Sequence, residues 1–583
     1  MVRTSSDGVT GHEHAVVEGA LDDDAPWIPA GLTTAQSEAV TAPDRVLCVL
    51  AGAGAGKTRV LTLRVARRVH DRSADAHHVL VCTFSRKAAD ELRRRLWALD
   101  VGGEIRAGTF HRTALHLLGQ HRAERGLPPP VLVADRRTTL GTVVGLAAAD
   151  HADGDSRRTT SRRPSPSLPR LPGRDSVRVA QLEAEISWAK ARLVEPDGYE
   201  QAARAARRRP SMGAARVADL YARYEEAKRR QGVLDLDDLL LVCADALEED
   251  GRFCAAVRWR YRHLFVDEMQ DVNPAQFRLL EALVGDDPDL FVVGDPHQSV
   301  YGWNGADPGL LATLPERFPG ARVVRLGENH RCSPQVVTVA AAALGLSGEG
   351  APTSTRADGP APRVRPLATD ADEAAWVARQ VWLAHRPGRR WAQIAVLART
   401  NAQLATLLEA FRAERIPARL AGGDLGPASD LRPGADGRRE PDDEAEEQPD
   451  NGENPADGDA VVLSTFHRAK GLQWPVVFVV GLSDGLVPLA AARTAAARDE
   501  ERRLLYVALT RAEDELTCTW AEHRDAASAE SGAAGRRPSA WLEDVARASA
   551  SMTAERPAPE RGEVVARLAE LRALLQGTIE SDR

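Results

Sequence analysis

Lysine is nearly missing from this 583-residue chain. Of its 76 basic residues only five are lysines, at positions 57, 87, 190, 228 and 470, and the other 71 are arginines. Such a bias most simply reflects a GC-rich genome. It makes each surviving lysine informative, because arginine was the easy choice. Paired cysteines are missing as well. The six cysteines (48, 82, 243, 254, 332 and 518) are scattered and none belongs to a CxxC pair. That argues against a zinc site and a disulfide framework, and a reducing cytoplasm fits best. No apolar run approaches 18 residues, so no membrane-spanning helix is expected and the chain is read as having no membrane partner. The N-terminal stretch has no apolar core for secretion, and its acidity argues against a transit peptide.

The net charge of −8 hides an uneven distribution. Residues 424–458 hold twelve acidic and three basic side chains, and residues 1–30 hold six and one. Setting those two segments aside leaves the rest of the chain at +6. A mildly basic body with acidic segments is compatible with a nucleic-acid partner. The length predicts three to five domains, or a few large ones, with room for real cores.

Residues 1–27 read as a disordered acidic leader. Short apolar runs follow: RVLCVLAG (45–52), HVLVCTFS (78–85), LFVDE (264–268) and LFVVGDP (290–296). Each suits a strand buried on both faces. Helical stretches such as KAADELRRRLWAL (87–99) separate them, so the pattern predicts an α/β fold with parallel sheets. A second set opens with RVVRL (322–326) and continues with IAVLART (394–400), AVVLSTFH (460–467), VVFVVGL (476–482) and ELTCTWA (515–521). Residues 112–255 read as a helical insert containing an Arg/Ser/Pro-rich disordered loop over 153–176. Residues 424–458 read as a solvated acidic linker, and 549–583 as a tail with a weak helical pattern.

AGAGAGKT (51–58) sits between a predicted strand and a predicted helix. Its glycines let backbone amides wrap phosphates, and the helix N-terminus favours an anion. Ala53, Gly54, Ala55 and Gly56 would form the cradle. Lys57 would reach the β- and γ-phosphates, and Thr58 would ligate Mg²⁺. A compact ammonium fits where a planar guanidinium does not, which suits a lysine in an arginine-dominated chain. Ala51 stands at the motif's first position in place of glycine. LFVDEMQD (264–271) places two carboxylates at a strand end, with Asp267 a second Mg²⁺ ligand and Glu268 the base for the attacking water. Together the two motifs imply nucleoside triphosphate hydrolysis without naming its purpose.

The wider order of motifs is more specific. LTTAQSEAV (32–40), the phosphate loop, LVCTFSRKAADEL (80–92), GTFHRTAL (108–115), VDEMQDVNPAQ (266–276), VVGDPHQSVYGWNGA (292–306), LGENHRCSPQVV (326–337), IAVLARTNAQ (394–403), LSTFHRAKGLQWPVVFVVGL (463–482) and EERRLLYVALTRAEDEL (500–516) follow one another. Over about 30–548 the chain resembles the superfamily 1 DNA helicases of the UvrD/Rep/PcrA kind. Finer details resemble the second, shorter UvrD-type paralogue of actinobacteria. The resemblance implies two RecA-like motor domains, 28–111 with 256–325 and 326–423 with 459–548, with ATP and Mg²⁺ between them. It implies that Gln36 reads adenine, that Arg59 flanks the nucleotide, and that Gln298 senses the γ-phosphate. Arg331 and Arg511 would act as arginine fingers from the second half. Phe84, Tyr301 and Trp303 would stack on single-stranded DNA, and His111 and His467 lie in matching DNA-contact motifs. Lys87 and Lys470 occupy the family's lysine positions, for phosphate contact or for structure.

Three substitutions depart from that pattern. His330 stands where a tyrosine usually packs on adenine, Asn304 replaces a frequent arginine, and Gln473 replaces a glutamate placed for a ribose contact. The largest departure is one of length. About 56 residues, mostly acidic, separate the motifs at 394–403 and 460, where these helicases usually carry a large helical insert. The expectation is a translocase on single-stranded DNA and DNA junctions, acting in repair or recombination control, whose unaided unwinding is weak or regulated, with a protein partner as one route to activation. The resemblance implies 3′→5′ movement. An RNA or nucleoprotein remodelling ATPase, and a non-catalytic regulatory nucleotide-binding subunit, remain open alternatives.

Overall fold

The computed structural model describes residues 30–152, 173–421, 458–525 and 535–554. The acidic leader, the Arg/Ser/Pro-rich stretch up to 172, the acidic linker up to 457 and the tail from 555 lie outside the described residues.

Two six-stranded sheets organise the chain. The first contains β1 (Val46–Ala51), β2 (Val79–Thr83), β3 (Arg106–Thr109), β4 (His263–Val266), β5 (Leu290–Gly294) and β6 (Arg322–Leu326), in the order β3-β2-β4-β5-β1-β6. A two-stranded pairing, β7 (Glu328–Asn329) with β8 (Thr353–Ser354), follows. The second sheet contains β9 (Arg363–Thr369), β10 (Ile394–Ala398), β11 (Ala418–Leu420), β12 (Val461–Thr465), β13 (Trp474–Val479) and β14 (Ala512–His523), in the order β11-β12-β10-β13-β14-β9. Every neighbouring pair in both sheets is parallel. The expected α/β class is what forms.

Alternation along each central strand feeds two cores, one per face. In β1, Val46 and Cys48 pack with Phe110 and Leu117, while Leu47, Val49 and Ala51 pack with Val60 and Leu61. In β10, Ala395 and Leu397 join one core, and Ile394, Val396 and Ala398 join the other. Helices therefore cover both faces of both sheets.

Three boundaries differ from the sequence reading. The RVVRL run is β6 of the first sheet, paired with β1 through Val323 and Cys48. The segment expected as one insert over 112–255 divides. Helices Phe110–Glu124, Leu236–Glu249 and Gly251–Arg260 pack into the first lobe's core through Leu117, Leu239, Cys243, Phe253 and Val257. Only the helices between them build a core of their own, around Leu182, Ile186, Tyr199, Val217 and Tyr224. Residues 173–176, read as loop, begin helix Gly173–Ala191. At the other end, helix Ala540–Ala554 runs past the expected boundary at 548 and packs Leu542 and Val545 on the second lobe.

The two lysines without a motif have a structural use. Lys190 and Lys228 are buried where the insert meets the first lobe. Lys190 Nζ lies 2.8 Å from Asp235 and Lys228 Nζ 3.1 Å from it, and both also bond Asp238. Asp235 and Asp238 in turn cap helix Leu236–Glu249. Among the described residues no helix is long and apolar enough to cross a membrane.

Candidate nucleotide cleft and aromatic row

The phosphate loop leaves β1 and enters helix Lys57–His70, with Gly54 at φ +70° and Gly56 at φ +81°. Glycine is required at 54 for a second reason. A Cβ there would stand 2.6 Å from Asn329 Oδ1 and 2.8 Å from Arg331 Cβ, so the second lobe's connection lies directly on the loop. Ala53 and Ala55 are buried beneath it. Lys57 Nζ lies 3.4 Å from the Ala51 carbonyl and 3.8 Å from Asp295 Oδ2.

At the end of β4, Thr58 Oγ1 donates to Asp267 Oδ2 at 3.2 Å. Glu268 follows in the left-handed region, φ +54°, a conformation that costs a non-glycine residue energy and that clusters at functional sites. Gln270 donates to the Glu268 carboxylate and accepts the Asp295 amide at 2.9 Å. Gln298 Nε2 donates to Asp295 Oδ2 at 2.7 Å. Lys57, Asp267, Glu268 and Gln298 thus share one largely buried polar network.

Electrostatics separates the two neighbouring carboxylates. Burial, then the Glu268 charge, pushes Asp267 up to about 7, against the pull of Lys57. Burial also opposes ionisation of Glu268, but Lys57, Lys470, the Gln270 amide and Arg511 outweigh it and hold Glu268 below its ordinary value. Glu268 is therefore the member of the pair that stays ionised at neutral pH. The hydroxyl of Thr58 and the carboxylate of Asp267 form a hard-oxygen donor pair, which suits Mg²⁺ completed by phosphate and water.

The second lobe supplies the arginines. Arg511 is buried, with Nε donating to the Val507 carbonyl at 2.8 Å and Nη1 to the Leu472 carbonyl at 3.0 Å. Burial and the neighbouring Arg331 charge lower it to about 9, and Glu268 opposes them. The Arg331 amide is fixed by Asn329 Oδ1 at 2.8 Å, while Asn329 Nδ2 bonds the Ala53 carbonyl at 2.8 Å. Both expected finger arginines therefore belong to the lobe facing Lys57 and Glu268.

Gln36 is buried, and its Nε2 donates to the Ala55 carbonyl at 3.0 Å. It also lies 3.2 Å from His330 Nε2. The His330 amide bonds the Gly54 carbonyl at 3.0 Å, which brings the histidine ring beside the loop. Arg59 is exposed at the start of the helix. Gln473 is exposed too, but the residues on either side bond Arg511: Leu472 through its carbonyl and Trp474 through its amide at 3.0 Å.

A row of rings runs beside this cleft. Phe84 stacks on Tyr301 with centroids 5.2 Å apart and planes 16° apart. Tyr301 meets Trp303 edge-on at 6.1 Å, and Trp303 meets His467 at 6.4 Å. Four of the five expected DNA-contact side chains, from both lobes, form this row. The fifth, His111, is half-buried in the first turn of helix Phe110–Glu124. Burial, Arg399 and Lys470 lower His467 to about 3, so it presents an uncharged ring at neutral pH. Lys470 Nζ lies 4.8 Å from the Tyr301 ring centre, whereas Lys87 is exposed.

Sequence reasoning missed Asn329, Gln270 and Asp295. All three lie inside quoted motifs, but their role is hydrogen bonding in two directions at once, which residue type alone does not signal.

Comparison with known proteins agrees with this geometry. The UvrD/REP helicase N-terminal domain matches residues 32–319, and the UvrD-like helicase C-terminal domain matches 324–424 and 445–523. The chain is 34% identical to the ATP-dependent DNA helicase UvrD2 of Mycobacterium tuberculosis, covering 89% of this chain and 82% of that protein. It is 28% identical to the ATP-dependent DNA helicase PcrA of Staphylococcus epidermidis, covering 67% and 51%. The PcrA of Leuconostoc citreum is 30% identical, with 67% and 50% covered. With both lobes matched and nearly nine-tenths of the chain aligned to one relative, this chain is a helicase of the UvrD/REP family.

Proposed function

We propose that this chain is an ATP-dependent DNA helicase that moves 3′→5′ along single-stranded DNA, in DNA repair or recombination control. One observation carries the reading: a single side chain, Lys470, joins the polar network of the phosphate loop to the aromatic row. Lys470 bonds Asp271 beside the catalytic carboxylates and lies over Tyr301 in the row.

The proposed roles follow from the site's chemistry. Lys57 and the loop amides bind the phosphates of ATP. Thr58 and Asp267 would hold Mg²⁺, which would supply charge neutralisation for the triphosphate. Glu268 takes the proton of the attacking water. Gln298 links that step to the aromatic turn three residues on. Arg331 and Arg511 spread charge on the γ-phosphate from the other lobe. Gln36, Arg59, His330 and Gln473 hold the nucleoside. Phe84, Tyr301, Trp303 and His467 stack on bases, a sequence-tolerant contact worth roughly 1–3 kcal/mol per base, and His111 contacts the strand. Opening and closing of the two RecA-like lobes would ratchet the strand along.

The decisive experiment is steady-state ATPase with and without single-stranded DNA, with Lys57→Ala as control and RNA as competitor. Strand displacement on 3′- and 5′-tailed duplexes follows. DNA-stimulated turnover and preference for a 3′ tail are expected. RNA stimulation equal to that by DNA, or turnover indifferent to nucleic acid, would overturn the reading. With about 56 residues where a large insert is usual, the purified monomer should unwind weakly and need a protein partner at junctions.

A further inference from the structure

The aromatic turn is capped from the opposite lobe. Residues Gly302–Asn304 form a single 3-10 turn, and Tyr301 at its N-cap supplies no side-chain hydrogen bond. The first amides of such a turn point outward without an internal partner. Here the Gly302 amide donates to Glu500 Oε1 at 2.9 Å. Glu500 lies on helix Ala495–Leu509 of the second lobe. Burial holds its carboxyl above its ordinary value, against the pull of Arg503 and of the amides of Gly302 and Trp303. The approach is close: a Cβ at 302 would stand 2.7 Å from Glu500 Oε2, so a larger residue there would displace the carboxylate.

The same helix reads out several parts of the first lobe. Arg503 Nε bonds the Ser299 carbonyl at 2.8 Å, and the Tyr506 ring meets His297 at 6.2 Å. Arg511 follows just beyond the helix end. The nine helical steps from Glu500 to Leu509 span about 14 Å, so one rigid rod carries Glu500 at the aromatic turn and leads to Arg511 at the phosphate side. The far side of the turn is braced by the insert helix, where a Cβ on Gly305 would stand 2.6 Å from Ala191 Cβ.

We propose that Glu500 is a positioning residue that caps the Trp303 turn across the lobe boundary, so that the grip on bases follows the position of the arginine-bearing helix. The inference rests on the helicase reading above. An anionic cap on two adjacent amides is a charge-assisted contact, stronger than a neutral one. It forms only while the second lobe keeps its helix against the turn. Movement that repositions Arg511 therefore also loosens or restores the shape of the Trp303 turn.

The test is DNA-stimulated ATPase of the full chain, using oligo-dT as the probe. Glu500→Ala should raise the oligo-dT concentration for half-maximal stimulation roughly tenfold. The ATP KM and the turnover at saturating DNA should change less than about twofold. Glu500→Gln, whose amide oxygen still accepts, should recover most of the loss. Gly302→Ala should reproduce Glu500→Ala by displacing the carboxylate, and the double variant should be no worse than either single one. Unchanged oligo-dT dependence in Glu500→Ala, or in Gly302→Ala if the former does not fold, overturns the inference. So does an equal shift in ATP and DNA parameters, the mark of a contact that only stiffens the lobe interface. If the wild-type protein itself shows no DNA stimulation, the helicase reading fails instead.

Discussion

Lys470 of the second lobe donates to the buried carboxylate of Asp271 on the first and, at 2.8 Å, to the carbonyl of Gln298. Burial pushes Asp271 up to about 7 even with this ammonium beside it. Removing one partner of a buried pair leaves an uncompensated charge, which typically costs about 3–5 kcal/mol. Lys470→Met should lower stability by up to that amount in urea unfolding at alkaline pH, where Asp271 is ionised, and by less below neutrality, where the carboxyl can take up a proton. Adding Asp271→Asn should return much of it, because both partners are then uncharged. A double variant as unstable as Lys470→Met alone would show that the pair is not the source of the loss.

Asp267 and Asp271 also set a pH dependence. Both have folded-state values of about 7, above the roughly 3.9 of an unfolded aspartate. Between those limits the folded chain holds protons that the unfolded chain has released. Stability therefore falls as pH rises from about 4 to about 7, and levels above that. Glu268 is shifted the other way, so its contribution changes only below the ordinary carboxylate range. With nucleotide absent and divalent cations chelated, urea midpoints should decline from about pH 5 to about pH 8. Asp267→Asn should flatten that decline and be more stable than wild type at the alkaline end. A wild-type midpoint that rises across this window would contradict the assignment.

Most of the central sheet architecture was legible because strands buried on both faces read as continuous apolar runs. The outermost strands were not. β3, β9 and β11 are edge strands made mostly of half-buried or exposed residues; RAGT and RVRPLAT carry no apolar run to notice. β6 was visible as RVVRL and falls almost wholly inside the 256–325 segment assigned to the first motor domain, but as a run it was set with the second series; its adjacency to β1 is a tertiary fact. Among site residues, Lys57, Asp267 and Glu268 stand out by chemistry and spacing. Glu500 does not, because an acidic residue in a helix rich in arginine reads as a surface ion pair until its amide partners are known.

Gln473 is a proposed nucleoside contact on an exposed position. Its neighbours Leu472 and Trp474 are both bonded to Arg511, so the backbone that presents residue 473 is fixed relative to the phosphate side. A carboxylate there would accept a ribose hydroxyl more strongly than the native amide does. Gln473→Glu should lower the ATP KM about three- to tenfold with little change in turnover. An unchanged KM would remove Gln473 from the nucleoside site.

Trp303 offers the clearest separation of stacking from charge. It contacts Tyr301 on one side and His467 on the other, and His467 is uncharged at neutral pH. If the row stacks on bases as proposed, binding through it would draw on ring area rather than on phosphate neutralisation. Trp303→Ala should weaken oligo-dT binding by roughly 1–3 kcal/mol, or about five- to 150-fold. The slope of binding against salt should stay as in wild type, because that slope counts cations released from phosphates and the indole displaces none. Fluorescence-anisotropy titrations at several salt concentrations measure both quantities at once. A flattened salt slope in Trp303→Ala would mean that the turn organises phosphate contacts, and the row would then have to be reassigned from base stacking to backbone positioning.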